Sequence, residues 1–228
     1  MVPGGFMMKR NILITLFLLL MFFILILLLA TVDVQPVENQ HSSVGLATIN
    51  KAFHQLIGVH LQWYAITDWL GIVALLTASV FAFTGFVQLI RRKSLCKVDV
   101  SLLILGVCYV AILLCYAFFE RVVVNYRPIM LSCQPEASFP SSHTMIVLFI
   151  MGTANIQFRR YICNHIVRKI LQSVSSLIII VTIFGRLYSG VHWLTDIIGG
   201  ILLGSSLILM FRGATSVRKL SFESSPKI

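Results

Sequence analysis

Apolar residues along this chain come in long unbroken runs, and charged residues gather in short clusters between them. The first run, residues 11–30, follows Lys9 and Arg10. At about 1.5 Å per residue it is long enough to cross the roughly 30 Å of a bilayer's hydrocarbon core. Five more runs follow at residues 69–90, 101–119, 144–156, 170–184 and 194–211, giving six predicted spans. The fourth and fifth are short and need residues 141–143 and 186–189 at their ends to reach across. Between the first two spans, residues 31–67 are mixed. Leu46, Ile49, Phe53, Leu56, Ile57 and Leu61 recur there at helical intervals, which predicts an amphipathic helix lying in the membrane interface. The expected fold is all-α: a polytopic bundle of six transmembrane helices with an interfacial helix in the first outer loop. It is read as one domain over residues 1–228, with a five-span core at 69–211 and an inner tail at 212–228.

Composition sharpens this reading. With 58% hydrophobic residues, 11% charged residues and a mean hydropathy of +0.93, the chain is too apolar for an ordinary soluble domain. Its net charge of +10 would suggest a nucleic-acid partner if the cations formed one patch, but they sit in clusters between spans. Nucleic acid is therefore not an expected partner; the lipid bilayer is. Of the 18 Lys and Arg residues, all but Lys51, Arg121, Arg127 and Arg186 fall on one side if the N-terminus is inside. The acidic residues Asp33, Glu38, Asp68, Glu120, Glu136 and Asp196 fall on the other. The basic asymmetry predicts both termini in the cytoplasm. The first span also fits a signal peptide with Ala30 before a cleavage site, although its length favours an uncleaved anchor. The five cysteines show neither paired nor metal-ligand spacing.

Positive charge kept on the outer side needs a reason, and parity supplies one. Residues 120–143 and 185–193 are separated by two crossings, so both emerge on the same face. Arg127, His143, Arg186, His192 and Asp196 can then meet in one outward-facing pocket. His192 and Asp196 are four residues apart, so on a helix the carboxylate can orient the imidazole. In Pro140-Ser141-Ser142-His143, a serine can cap the helix while free N–H groups and the helix dipole face an anion. Taken singly, each has an ordinary alternative: Arg127 or Arg186 in an ion pair, His192 as a hydrogen-bonded interfacial histidine, the serines as plain caps. Their common side is what groups them.

Together these residues resemble the three-part signature of the type 2 phosphatidic acid phosphatase family, whose site is shared by the vanadium-dependent haloperoxidases. That signature runs Lys-x6-Arg-Pro, Pro-Ser-Gly-His and Ser-Arg-x5-His-x3-Asp. The present chain has Glu120-x6-Arg127-Pro128, Pro140-Ser141-Ser142-His143 and Gly185-Arg186-x5-His192-x3-Asp196. The resemblance implies that His192 attacks phosphorus with Asp196 orienting it and that His143 serves as acid and then base. Arg127, Arg186, Ser141 and Ser142 would bind the phosphate, with no metal and no other cofactor. It implies a phosphatase acting on a lipid phosphate or polyprenyl pyrophosphate; the basic asymmetry puts its site on the outer face, and a compact chain without large loops suits a bacterial plasma membrane. Ser142 and Gly185 are small-for-small departures. Glu120 is not, because it puts a carboxylate where the family has a phosphate-binding cation. That departure keeps open a non-catalytic relative, and the same site would also serve a lipid phosphotransferase. No short motif encodes the lipid or the oligomeric state.

Overall fold

The computed structural model describes residues 4–37 and 42–223, with side chains over 9–37 and 42–216. Glu38 and Lys227, assigned above to outer and inner segments, lie outside the described residues, as do the side chains of Arg218 and Lys219. The helices are α1 (Gly4–Thr31), α2 (Ala47–Ile57), α3 (Leu61–Arg92), α4 (Val100–Arg121), α5 (Ser142–Tyr161), α6 (His165–Tyr188) and α7 (Leu194–Glu223). Between α1 and α2, β1 (Gln35–Pro36) and β2 (Ser43–Val44) form a short antiparallel ribbon with Gln35 opposite Val44.

Among the described residues, α1, α3, α4, α6 and α7 are long and apolar enough to cross a membrane. Helix α5, the remaining predicted span, does not meet that measure, and its place in the bundle explains why. It packs against α3, α6 and α7, which shield it from lipid. Polar groups on it can therefore be satisfied by protein rather than excluded. Thr153 and Gln157 are buried; Thr153 Oγ1 donates to Phe149 O at 2.8 Å and Gln157 Nε2 to Ser101 Oγ at 3.3 Å. The apolar core around α5 includes Met145, Phe149, Met151, Leu105, Ile112 and Phe211.

The outer segment is shorter than its sequence pattern suggests. The periodic stretch breaks at Gly58, and α3 starts at Leu61 rather than near Trp69. Helix α2 turns its polar side toward the protein. Asn50 Nδ2 donates to Gly45 O at 2.9 Å and to Thr195 Oγ1 at 3.0 Å, and His54 Nε2 lies 3.0 Å from Gly190 O. Its apolar side, with Ile49 and Leu56, is exposed, as an interfacial helix requires.

The two ends of the bundle differ. At one, Asp99 caps α4 through Ser101 N (3.0 Å), accepts from Tyr161 Oη (2.7 Å) and pairs with Arg160 (2.9 Å). At the other, the connections before α2, α3, α5 and α7 are laced together: Gly45 N donates to Asn125 Oδ1 (3.0 Å), Ser138 N to Asn125 O (2.9 Å) and His60 N to Ser189 O (3.1 Å). The residues singled out by spacing lie at this second end.

Candidate active site

The segment that enters α5 is seated by close approach to α7. A Cβ on Gly199 would lie 2.4 Å from Phe139 Cε2, and one on Gly200 2.9 Å from Ser141 O, so only glycine admits the chain here. Phe139 fills the space with its ring stacked on Phe22 and edge-on to Phe119. Ser141 N donates to Asp196 O at 3.0 Å, which fixes the start of α5 over the start of α7. That bond settles where Ser141 stands. It is buried, its N–H is occupied, and its hydroxyl accepts from Thr144 Oγ1 (3.0 Å) instead of capping the helix. The N–H groups that α5's ladder leaves over are those of Ser142, His143 and Thr144, and Ser142 lines the pocket described below.

Asp196 sits in the first turn of α7, where a carboxylate complements the helix dipole, and its Oδ2 accepts from Trp193 N at 2.8 Å. It does not reach His192 directly: Nδ1 and Oδ2 are 3.7 Å apart, beyond hydrogen-bond range. Ser138 stands between them. Its hydroxyl donates to Asp196 Oδ2 in a short bond and lies 3.1 Å from His192 Nδ1. His192 is 4% exposed, and its Nε2 has no hydrogen-bond partner among the described residues. Burial of the imidazole, reinforced by the charges of Arg127 and Arg186 and opposed by Asp196, holds its pKa below the ordinary 6.5. The ring is therefore neutral near pH 7, with a lone pair on one nitrogen.

Arg127 is delivered by a fold-back of residues 122–141, bridged at Tyr126 and Ala137, with Trp193 Nε1 donating to Tyr126 O at 2.6 Å. Its Nε lies 3.0 Å from Glu136 Oε2, so Glu136 and not Glu120 is its acidic partner. Arg186 is fully buried in α6, with its guanidinium 4.6 Å over the Tyr64 ring and its Nη2 in a short ion pair with Asp68 of α3. Asp68 Oδ1 also lies 3.1 Å from His143 Nε2, so one carboxylate ties the α6 arginine to the α5 histidine. Nη1 of Arg127, and Nε and Nη1 of Arg186, are buried without an acceptor among the described residues. Buried guanidinium N–H groups left unpaired are costly, and an anion with several oxygens is the ligand that satisfies them.

A pocket lined by Glu120, Arg127, Ser138, Ser142 and His192, with Tyr116 and Phe119 at its apolar wall, opens beside these groups. Glu120 is exposed and reaches the same pocket as Arg127. The change from Ser to Gly185 also has a local cause: α3 crosses α6 here, and a Cβ would come within 2.6 Å of Thr67 Cγ2.

A model of the PAP2 superfamily matches residues 103–218, half of the chain. The chain belongs to the PAP2 superfamily. Among curated proteins, this PAP2 chain is 28% identical over 97 residues to phosphatidylglycerophosphatase B of Bacillus subtilis, a match covering 41% of the chain and 46% of that relative. The matched stretch thus spans less than half of that relative's length. Among solved structures, it is similar to a transmembrane PAP2-type phosphatidylglycerolphosphate phosphatase from Bacillus subtilis. That likeness has a TM-score of 0.61 at 17% identity, over 90% of this chain and 96% of the other, and it shows a shared fold. The fold is thus that of an all-α membrane bundle of the PAP2 type.

Sequence spacing did not point to Ser138, Asp68 or Glu136. Ser138 touches residues 54 and 58 positions away, and Asp68 touches Arg186 across 118 positions. The one available signal was that Asp68 and Glu136 are carboxylates on the side that holds Arg127 and Arg186.

Proposed function

We propose that this protein is a membrane phosphatase that hydrolyses lipid phosphates or polyprenyl pyrophosphates through a phosphohistidine on His192. The observation that carries this reading is the group of unpartnered guanidinium N–H donors from Arg127 and Arg186 near a buried, neutral His192 whose Nε2 is likewise free. Cations placed to receive phosphate oxygens beside a nucleophilic nitrogen are what in-line phosphoryl transfer needs.

Nε2 of His192 attacks phosphorus and forms the P–N bond. The P–O bond to the leaving group breaks, and its electron pair goes to the leaving oxygen, which takes a proton from His143. Asp68 Oδ1, 3.1 Å from His143 Nε2, holds that imidazole in place for the transfer. Water then gives a proton to His143 and attacks phosphorus. The P–N bond breaks, the electron pair returns to Nε2, and inorganic phosphate leaves. Arg127, Arg186 and the first-turn N–H groups of α5 near Ser142 bind the equatorial oxygens; Ser141 holds that turn against α7. The proposed core begins at Leu61 rather than at residue 69, because Tyr64 and Asp68 belong to the site, and the whole chain acts as one domain. The basic asymmetry supports cytoplasmic termini and a site on the outer face of a bacterial plasma membrane. The apolar wall of Tyr116 and Phe119 suits a substrate whose chains stay in the bilayer. Phosphatidylglycerol phosphate, phosphatidic acid, undecaprenyl pyrophosphate and lipid A phosphates are the candidates. The test is phosphate release by purified protein from each of the four. Because guanidinium groups supply the positive charge, release should persist in EDTA; no release from any of them would reject the reading.

The placement of Glu120 in the pocket that Arg127 also lines favours a second reading, a non-catalytic relative. The variant Glu120→Lys separates the two. In an active phosphatase it removes a repulsive charge from the pocket and lowers KM several-fold with kcat little changed. In a non-catalytic relative it creates phosphate release where the natural chain has none.

A further inference from the structure

Ser138 occupies the gap between His192 and Asp196, and its hydrogen bonds can be assigned from its chemistry alone. A serine hydroxyl carries one proton and two lone pairs. Asp196 Oδ2, which also accepts from Trp193 N, is a carboxylate oxygen, so in the short bond Ser138 must donate. With its only proton given to Asp196, the hydroxyl can do nothing at His192 Nδ1, 3.1 Å away, except accept. Nδ1 therefore carries the hydrogen, and Nε2 carries the lone pair. The direct His192–Asp196 separation of 3.7 Å leaves Ser138 as the hydrogen-bond partner of Nδ1 among the described residues. Ser138 is 3% exposed and its backbone N–H is bound to Asn125 O, so the hydroxyl is held in place from both sides.

We propose that Ser138 is a positioning residue that relays the orienting effect of Asp196 to His192 and selects the tautomer in which Nε2 is free to attack. Asp196 thus acts through a hydroxyl bridge and not by direct contact. This rests on the phosphatase reading for its catalytic consequence, but the tautomer assignment stands on geometry.

The experiment has two arms. In the first, long-range proton–nitrogen correlation on full-length protein carrying 15N-histidine, with the His192 signals identified by their loss in His192→Gln, reads the tautomer. The hydrogen is expected on Nδ1 in the natural chain and on a mixture of both nitrogens in Ser138→Ala; a hydrogen on Nε2 in the natural chain overturns the proposal. In the second, Ser138→Ala, checked by thermal unfolding to remain folded, is assayed on whichever lipid phosphate the natural chain hydrolyses. Loss of a group that fixes an imidazole's orientation and tautomer costs about 10- to 100-fold. That loss is expected in kcat and in single-turnover formation of acid-labile phosphoenzyme, with KM within about twofold. Ser138→Thr, which keeps the hydroxyl, should recover part of the rate. An unchanged kcat in Ser138→Ala, or a loss confined to KM, overturns the relay. If the natural chain releases no phosphate from any lipid, the phosphatase reading fails and the first arm alone decides the proposal.

Discussion

His192→Ala is expected to lower phosphate release by at least about a thousandfold, because it removes the atom proposed to form the P–N bond. The loss should appear equally in kcat and kcat/KM, with lipid phosphate still bound by Arg127 and Arg186. Quenched-flow capture of acid-labile phosphoenzyme, present in the natural chain and missing in the variant, checks it. Full activity in the variant would dismiss His192 as nucleophile. The pH dependence follows from the same residue. Its pKa lies below 6.5 through burial, so the neutral, attacking form is kept as pH falls through that value and is lost only further into acid. The acidic limb of kcat/KM assigned to the nucleophile should therefore lie below 6.5.

Arg186→Ala is expected to reduce kcat/KM by about 100- to 1,000-fold, the range for removing one preorganised donor from a transition-state anion. Arg186 divides its fork: Nη2 holds Asp68, while Nε and Nη1 have no acceptor among the described residues and, on the proposed chemistry, are the donors left for phosphate oxygens. For that reason Arg186→Lys should restore little. A point charge cannot engage Asp68 and phosphate oxygens at once, nor lie flat on the Tyr64 ring. Steady-state kinetics of both variants decide it, and near-natural activity in Arg186→Lys would show that charge alone suffices.

Much of the fold was legible because lipid imposes a simple rule: a chain that crosses it must be apolar over a span's length. Helices α1, α3, α4, α6 and α7 obey that rule. Helix α5 carries buried Thr153 and Gln157, permitted by the helices around it, and its apolar run is accordingly short. The start of α3 was misplaced for a related reason: residues 61–68 face protein and interface together, so their composition signals neither. In the site, Arg127, His143, Arg186, His192 and Asp196 stand at spacings that the sequence alone displays. Their partners do not. Asp68 meets Arg186 and His143 only once α3 lies against α5 and α6, and Ser138 enters the His192–Asp196 gap only because Gly199 and Gly200 let its segment settle on α7. Contacts made by tertiary packing leave no mark in local spacing.

The site draws on α3, the fold-back before α5, α5, α6 and the turn into α7, in that order along the chain. A ribosome makes them in the same order. A partly synthesised chain carries Asp68, Arg127, His143 and Arg186 in the membrane while His192 and Asp196 are still unmade. On the proposed chemistry, such a chain has neither the nucleophile nor the contacts from Trp193, Asp196, Gly199 and Gly200 that seat the segment before α5. The proposed activity therefore waits for the last helix.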